Sequence, residues 1–242
     1  MLLVEKVLQQ NPLMEVKNWF LYAFEIKAGS KPVENIDSIQ IYIKSIQLES
    51  SSFKAEIVEE DMNVKLYFVN LRPTAIVPIS TNIFTNYTEN HLNNKAHDIK
   101  QIEFLSRLQL QALAHIFEDG QKSIFTGLQS NHQYLTSLLD WLVVFAQMGE
   151  ILAYHYDNLK RDESGNFWMR KIKAKFLTNT LPKIGDNIPV FAEITDTNMI
   201  KLNREEWRTF SMAGYNNAKT IVFVAKVAHK LPKKLTRQGG SK

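Results

Sequence analysis

The stretch Leu138 to Leu152, LLDWLVVFAQMGEIL, constrains this chain more than any other. Read as a helix, it turns apolar side chains in nearly every direction, and a helix apolar all round belongs in an interior. Asp140, Gln147 and Glu150 interrupt it before the ~18 unbroken apolar residues that a membrane crossing needs. The rest of the chain must therefore build a shell around it. Four consecutive β-like segments follow: WMRKIKAKFL (168–177), NIPVFAEITDT (187–197), REEWRTFSMAGY (204–215) and AKTIVFVAKVAHK (218–230). In the first, Ile172, Ala174 and Phe176 alternate with Lys171, Lys173 and Lys175, which is the period of a half-buried strand. The last two read as a hairpin around Asn216-Asn217.

Strand patterns also open the chain. WFLYAFEI (19–26) is aromatic and apolar, SIQIYIKSIQL (38–48) alternates, and FKAEIVEE (53–60) with NVKLYFVNL (63–71) reads as a hairpin. TAIVPIST (74–81) is an edge strand at best because Pro78 cannot donate to a ladder, and NYTENHLNN (86–94) is a loop. From Lys95 to Phe117 the spacing of Ile99, Ile102, Leu105, Leu108, Ala112, Leu113 and Ile116 predicts a helix, with Asp98 as its cap and Gly120 past its end. SIFTGL (123–128) is a short strand, and the central helix is expected over about 132–159.

Composition narrows the function. With 45% hydrophobic and 22% charged residues the chain is an ordinary globular one. It has no cysteine, so disulfides, cysteine nucleophiles and thiolate metal sites are excluded, which fits the cytoplasm. The first residues, with Glu5 and no long apolar core, do not read as a signal peptide. The formal charge of +4 is concentrated in Lys230, Lys233, Lys234, Arg237 and Lys242, a basic tail without aromatics and hence without a nucleic-acid footprint. No G-x-x-x-x-G-K-[ST], G-x-G-x-x-G or G-x-S-x-G occurs. His91, His97, His115, His155 and His229 show no ligand spacing with carboxylates, so no metal and no cofactor are expected.

A short strand, a long apolar helix and then a run of long antiparallel strands is the order of the hotdog fold, which residues 122–230 resemble. Leu139-Asp140-Trp141-Leu142 and Gln147 resemble the central-helix motif of the β-hydroxyacyl-carrier-protein dehydratases, and FWMRKIKAKFL resembles the strand that follows it in dehydratases and acyl thioesterases. The resemblance implies an α+β hotdog fold. It divides the chain into a β-rich module with a following helix (1–121), a hotdog module (122–230) and a basic tail (231–242). The first module is either a second, rearranged hotdog or an unrelated β-rich layer. Implied substrates are acyl esters of coenzyme A or acyl carrier protein, and the implied assembly is a homodimer or an internal pseudo-dimer.

Asp140, Gln147 and Tyr154 are seven apart and share one stripe of the expected helix. A buried polar stripe is costly unless satisfied or used. Asp140 is the candidate acid or base and Gln147 the group that orients a carbonyl or water. His132 is the histidine candidate, but eight residues of helix rise about 12 Å, so it needs a bent entry loop to meet Asp140. Trp141, Phe145, Tyr154 and Trp168 are candidates for the substrate channel and suit a plain core equally. Three readings follow: thioester hydrolysis, dehydratase-like chemistry of fatty acid or polyketide metabolism, and a non-catalytic acyl- or partner-binding protein. An enzyme predicts an apolar tunnel ending at Asp140 and Gln147; a binding protein predicts Asp140 tied to backbone donors.

Overall fold

The structure is a computed structural model that describes residues 1–10, 15–29, 41–59, 62–71, 84–86, 95–118, 124–164, 167–178, 180–202 and 204–232. The segment 74–81 and the basic tail beyond 232 lie outside the described residues. A short helix α1 (Leu2–Leu8) precedes strands β1 (Trp19–Lys27), β2 (Tyr42–Leu48), β3 (Ser52–Glu59) and β4 (Met62–Asn70). Then come β5 (Phe84–Asn86), β6 (Lys95–Ser106), β7 (Gln109–Glu118) and β8 (Ile124–Thr126). Helix α2 (Leu138–Asp157) leads to β9 (Phe167–Phe176), β10 (Asn187–Leu202), β11 (Glu205–Asn216) and β12 (Ile221–Lys230).

Ten strands form one antiparallel sheet in the order β2-β3-β4-β1-β9-β12-β11-β10-β7-β6, while β5 and β8 pair in parallel as a separate ribbon. Strand registers align one buried row across it: Ala55, Leu66, Phe24, Ala174, Phe223, Gly214, Ala192 and Leu110. Side chains two apart on a strand share a face, so each strand adds its own alternate residues to that row's side. Helix α2 lies on this face and touches β1, β6, β7, β9, β10 and β11. One long helix cradled by a long antiparallel sheet is the hotdog arrangement. The N-terminal strands join this sheet where β1 pairs with β9. The N-terminal part of the same core is closed by Val4 and Leu8 of α1.

The helix expected over Lys95 to Phe117 is instead the β6–β7 hairpin. On β7 the residues Leu110, Ala112, Ala114 and Ile116 are buried with period two. The helix-like spacing came from Ile102, Leu105 and Leu108, which are exposed around the hairpin's turn. Register shifts between Lys100 and Glu103 and between Phe104 and Ser106 break the strand period there. The hairpin straps α2 along its length. Phe104 stacks on His155 at 3.7 Å, and the Arg107 guanidinium donates to the Tyr156 carbonyl at 2.7 and 3.0 Å.

Helix α2 also differs from the fully enclosed helix that its composition suggests. It buries one face, with Leu138, Trp141, Val144, Phe145, Met148, Leu152 and Ala153, while Leu142 and Val143 are half-exposed and Gln147 is exposed. Phe145 reaches the sheet where the row narrows to glycine: a Cβ on Gly214 would stand 2.5 Å from the Phe145 ring. The helix begins later than expected, because Ser130–His132 is a 3-10 turn and Leu135 bridges Lys183 before Ser137 caps the helix.

Candidate functional site

Asp140 occupies the third position of α2, where a carboxylate completes the capping box. The Ser137 hydroxyl accepts from the Leu139 and Asp140 amides at 3.1 and 3.4 Å, and Asp140 Oδ2 accepts from the Ser137 amide at 2.7 Å. Asp140 is wholly buried, so its remaining capacity must be met by protein. Strand β6 supplies it. Lys95 and His97 are two apart and face the core, opposite Glu118 and Ile116 of β7. Lys95 Nζ donates to Asp140 Oδ2 at 3.0 Å, and His97 Nε2 meets Oδ1 at 2.9 Å.

An ionised carboxylate only accepts, so His97 Nε2 carries a proton and, in the neutral ring, Nδ1 is a bare lone pair. The His97 side chain retains 9% exposure, against none for Asp140. It is therefore the member of the trio that reaches outward. Burial pushes the Lys95 ammonium below its usual range, and the charges of Asp140 and Glu118 oppose that push. The trio is a strand-borne histidine oriented by a helix-borne carboxylate, with a buried lysine balancing the charge.

The other sequence candidates fall elsewhere. Gln147 is exposed and does not share a site with Asp140. Tyr154 donates to Glu150 at 2.7 Å at the opposite end of the helix. Trp141 and Phe145 are buried against each other, their ring centroids 6.0 Å apart, and Trp168 packs edge-on to Trp207. Two cavities lie among the described residues named here. One of 20 Å³ lies under α2 between Phe145, Gly149, Met212 and Phe223; one of 260 Å³ lies between Phe20, Tyr22, Leu71, Phe176 and Leu181. Neither is the expected tunnel ending at Asp140 and Gln147. Lys95 and His97 were the residues missed. Their signal was the K-x-H spacing, which puts both on one face of a strand but on different faces of the helix first expected.

His132 is fully buried in the 3-10 turn, edge-on to Phe20 at 5.8 Å, and is not brought to Asp140. Its ring nitrogens approach the Asn18 and Leu71 carbonyls without hydrogen-bond geometry, and burial lowers its pKa. The unfolded chain therefore takes up a proton near pH 6.5 that the native chain refuses. Stability should fall as pH drops below about 6.5, by up to ~1.4 kcal/mol per unit for this one group. Urea midpoints at pH 7 and pH 5 should show it, and His132→Phe should flatten the slope.

No curated protein matches the chain in sequence. Among solved structures, a tesB protein of Mycobacterium avium subspecies paratuberculosis superposes with a TM-score of 0.46 at 10% identity, covering 94% of this chain and 83% of that one. An acyl-CoA thioesterase II of Mycobacterium marinum gives 0.46 at 6% identity, covering 90% and 83%. An acyl-ACP thioesterase of Bacteroides thetaiotaomicron gives 0.37 at 10%, covering 93% and 80%. One family model, described as Pseudomonas avirulence D protein (AvrD), matches residues 87–232. That span exceeds half of the chain and contains Lys95, His97, Asp140 and every strand that touches α2 except β1, and on it the chain belongs to the AvrD family.

Proposed function

We propose that this protein processes acyl thioesters of coenzyme A or a carrier protein, and that the reaction is hydrolysis. The observation that carries the reading is the 2.9 Å pairing of His97 with Asp140 at the start of the central helix of a hotdog. His97 Nδ1 takes a proton from water as the water oxygen attacks the thioester carbonyl. The C–S bond then breaks, and the thiol leaves with that proton. Asp140 has both oxygens engaged, so it is a positioning residue: it fixes the tautomer and stabilises the imidazolium that forms. Lys95 pairs with Asp140 and balances its charge.

The same pair supports dehydration as a second reading. A histidine meeting an acid is what the dehydratase resemblance calls for, and Nδ1 could equally take the proton α to the thioester carbonyl. A continuous sheet through β1 and β9 makes the pairing of two hotdog units internal in this proposal. The test is a panel of acyl-coenzyme A and acyl-carrier-protein esters, with 3-hydroxyacyl esters included. Hydrolysis of one chain-length class should fall about a hundredfold in His97→Gln, the low end of what a general base supplies. Loss of water from the 3-hydroxyacyl esters without thiol release would replace hydrolysis by dehydration. No turnover of any ester would leave a binding protein.

A further inference from the structure

A second acid–histidine pair lies at the far end of α2. Asp157 is the last helical residue, where the negative end of the helix dipole disfavours a carboxylate, yet it is buried there. Arg208 of β11 holds it, with Nε and Nη2 each 3.1 Å from Oδ1. His229, opposite Arg208 on β12, places Nε2 2.8 Å from Oδ2. The same proton argument applies: Nε2 donates to the carboxylate, so Nδ1 of the neutral ring is a lone pair. That lone pair faces Ser164 Oγ at 3.1 Å. The imidazole is fully buried and walled by Tyr154, Phe167 and Phe210, while Ser164 is half-exposed. Tyr154 gives its own hydroxyl proton to Glu150, so toward Ser164 it only accepts, and the one Ser164 proton is shared between the Tyr154 oxygen and His229 Nδ1.

We propose that Ser164 is a nucleophile activated by His229 and oriented by Asp157, acting on esters of short acyl groups. A serine–histidine–acid relay is recognised by geometry and roles rather than chain order, and here the order is Asp157, Ser164, His229. The expectation of a short acyl group comes from Phe167, whose ring centroid is 6.1 Å from that of His229 and which also lines the 20 Å³ apolar cavity beneath α2. A cavity needs ~10–15 Å³ for one water, so this one has no room for a long chain. Ser164 Oγ attacks the ester carbonyl and its proton passes to His229 Nδ1. The bond to the alcohol oxygen breaks, and the alcohol leaves with that proton. Water then gives a proton to Nδ1 and attacks the acyl-serine; the acid departs and Oγ recovers the proton.

The test is p-nitrophenyl acetate hydrolysis and fluorophosphonate labelling of the intact chain. The expected result is an adduct on Ser164 located by peptide mass spectrometry, with acetate hydrolysis above buffer and p-nitrophenyl octanoate cleaved at least tenfold more slowly. Ser164→Ala, a half-exposed change that spares the fold, should abolish both signals. His229→Gln, checked for folding by circular dichroism, should slow labelling at least tenfold. Labelling elsewhere only, native hydrolysis at the buffer rate, or a Ser164→Ala protein as active as the native one overturns the proposal and leaves Ser164 a hydrogen-bonded cap on a structural histidine.

Discussion

Asp140→Asn should destabilise the protein by about 3–5 kcal/mol, the usual cost of leaving one member of a buried ion pair without its partner. The asparagine oxygen still caps the Ser137 amide, so the lost capping is small. What is lost is the counter-charge of Lys95, whose side chain is only 4% exposed and whose ammonium is already held low by burial. Replacing both residues, Lys95→Met with Asp140→Asn, removes the stranded charge and should recover most of the deficit. Urea unfolding of the two single variants and the double variant gives the coupling directly. The sign of the pH dependence is also set. In the single variant Lys95 loses its main support, so between its folded pKa and about 10.4 the unfolded chain binds more protons than the native one. Stability therefore rises with pH in that alkaline window, and the deficit shrinks. A deficit under ~1 kcal/mol at neutral pH, or one that does not respond to pH, would mean that Lys95 and Asp140 do not share a buried charge.

The same trio shows how far the sequence could be read. Asp140 was legible because a carboxylate two residues into a long apolar run must be satisfied, and here it caps the helix and meets Lys95 and His97. The four strands after α2 were legible because half-buried strands alternate cleanly; Ile172, Ala174 and Phe176 are all buried as spaced. His97 was not legible. Its strand was misread as a helix because Ile102, Leu105 and Leu108 mark a three-residue spacing where the hairpin bulges. A strand puts Lys95 and His97 on one face, whereas a helix turns them ~200° apart. The partnership with Asp140 spans 43 residues and depends on β6 crossing the start of α2, which no local pattern encodes. His229 and Asp157 were hidden for the same reason, at a separation of 72. Spacing by seven puts Gln147 on the stripe of Asp140, but Gln147 is exposed where Asp140 is buried.

Trp141→Ala should cost about 3–5 kcal/mol, as deletion of a large buried aromatic does. Trp141 has no exposed surface, packs against Phe145, and donates from Nε1 to the Thr136 hydroxyl at 2.9 Å. Thr136 in turn donates its hydroxyl to the Pro182 carbonyl at 3.1 Å, so the indole ties the start of α2 to the turn before β10. Trp141→Phe keeps a ring and loses that one bond, so it should cost nearer ~1 kcal/mol beyond the small void it leaves. Denaturation followed by circular dichroism separates the two variants. It also separates the two roles that the sequence allowed this tryptophan. A residue lining an acyl channel would, when cut to alanine, leave stability nearly intact and change which chain lengths are accepted. A residue of the core does the reverse: the fold weakens, and the proposed hydrolysis keeps its chain-length preference.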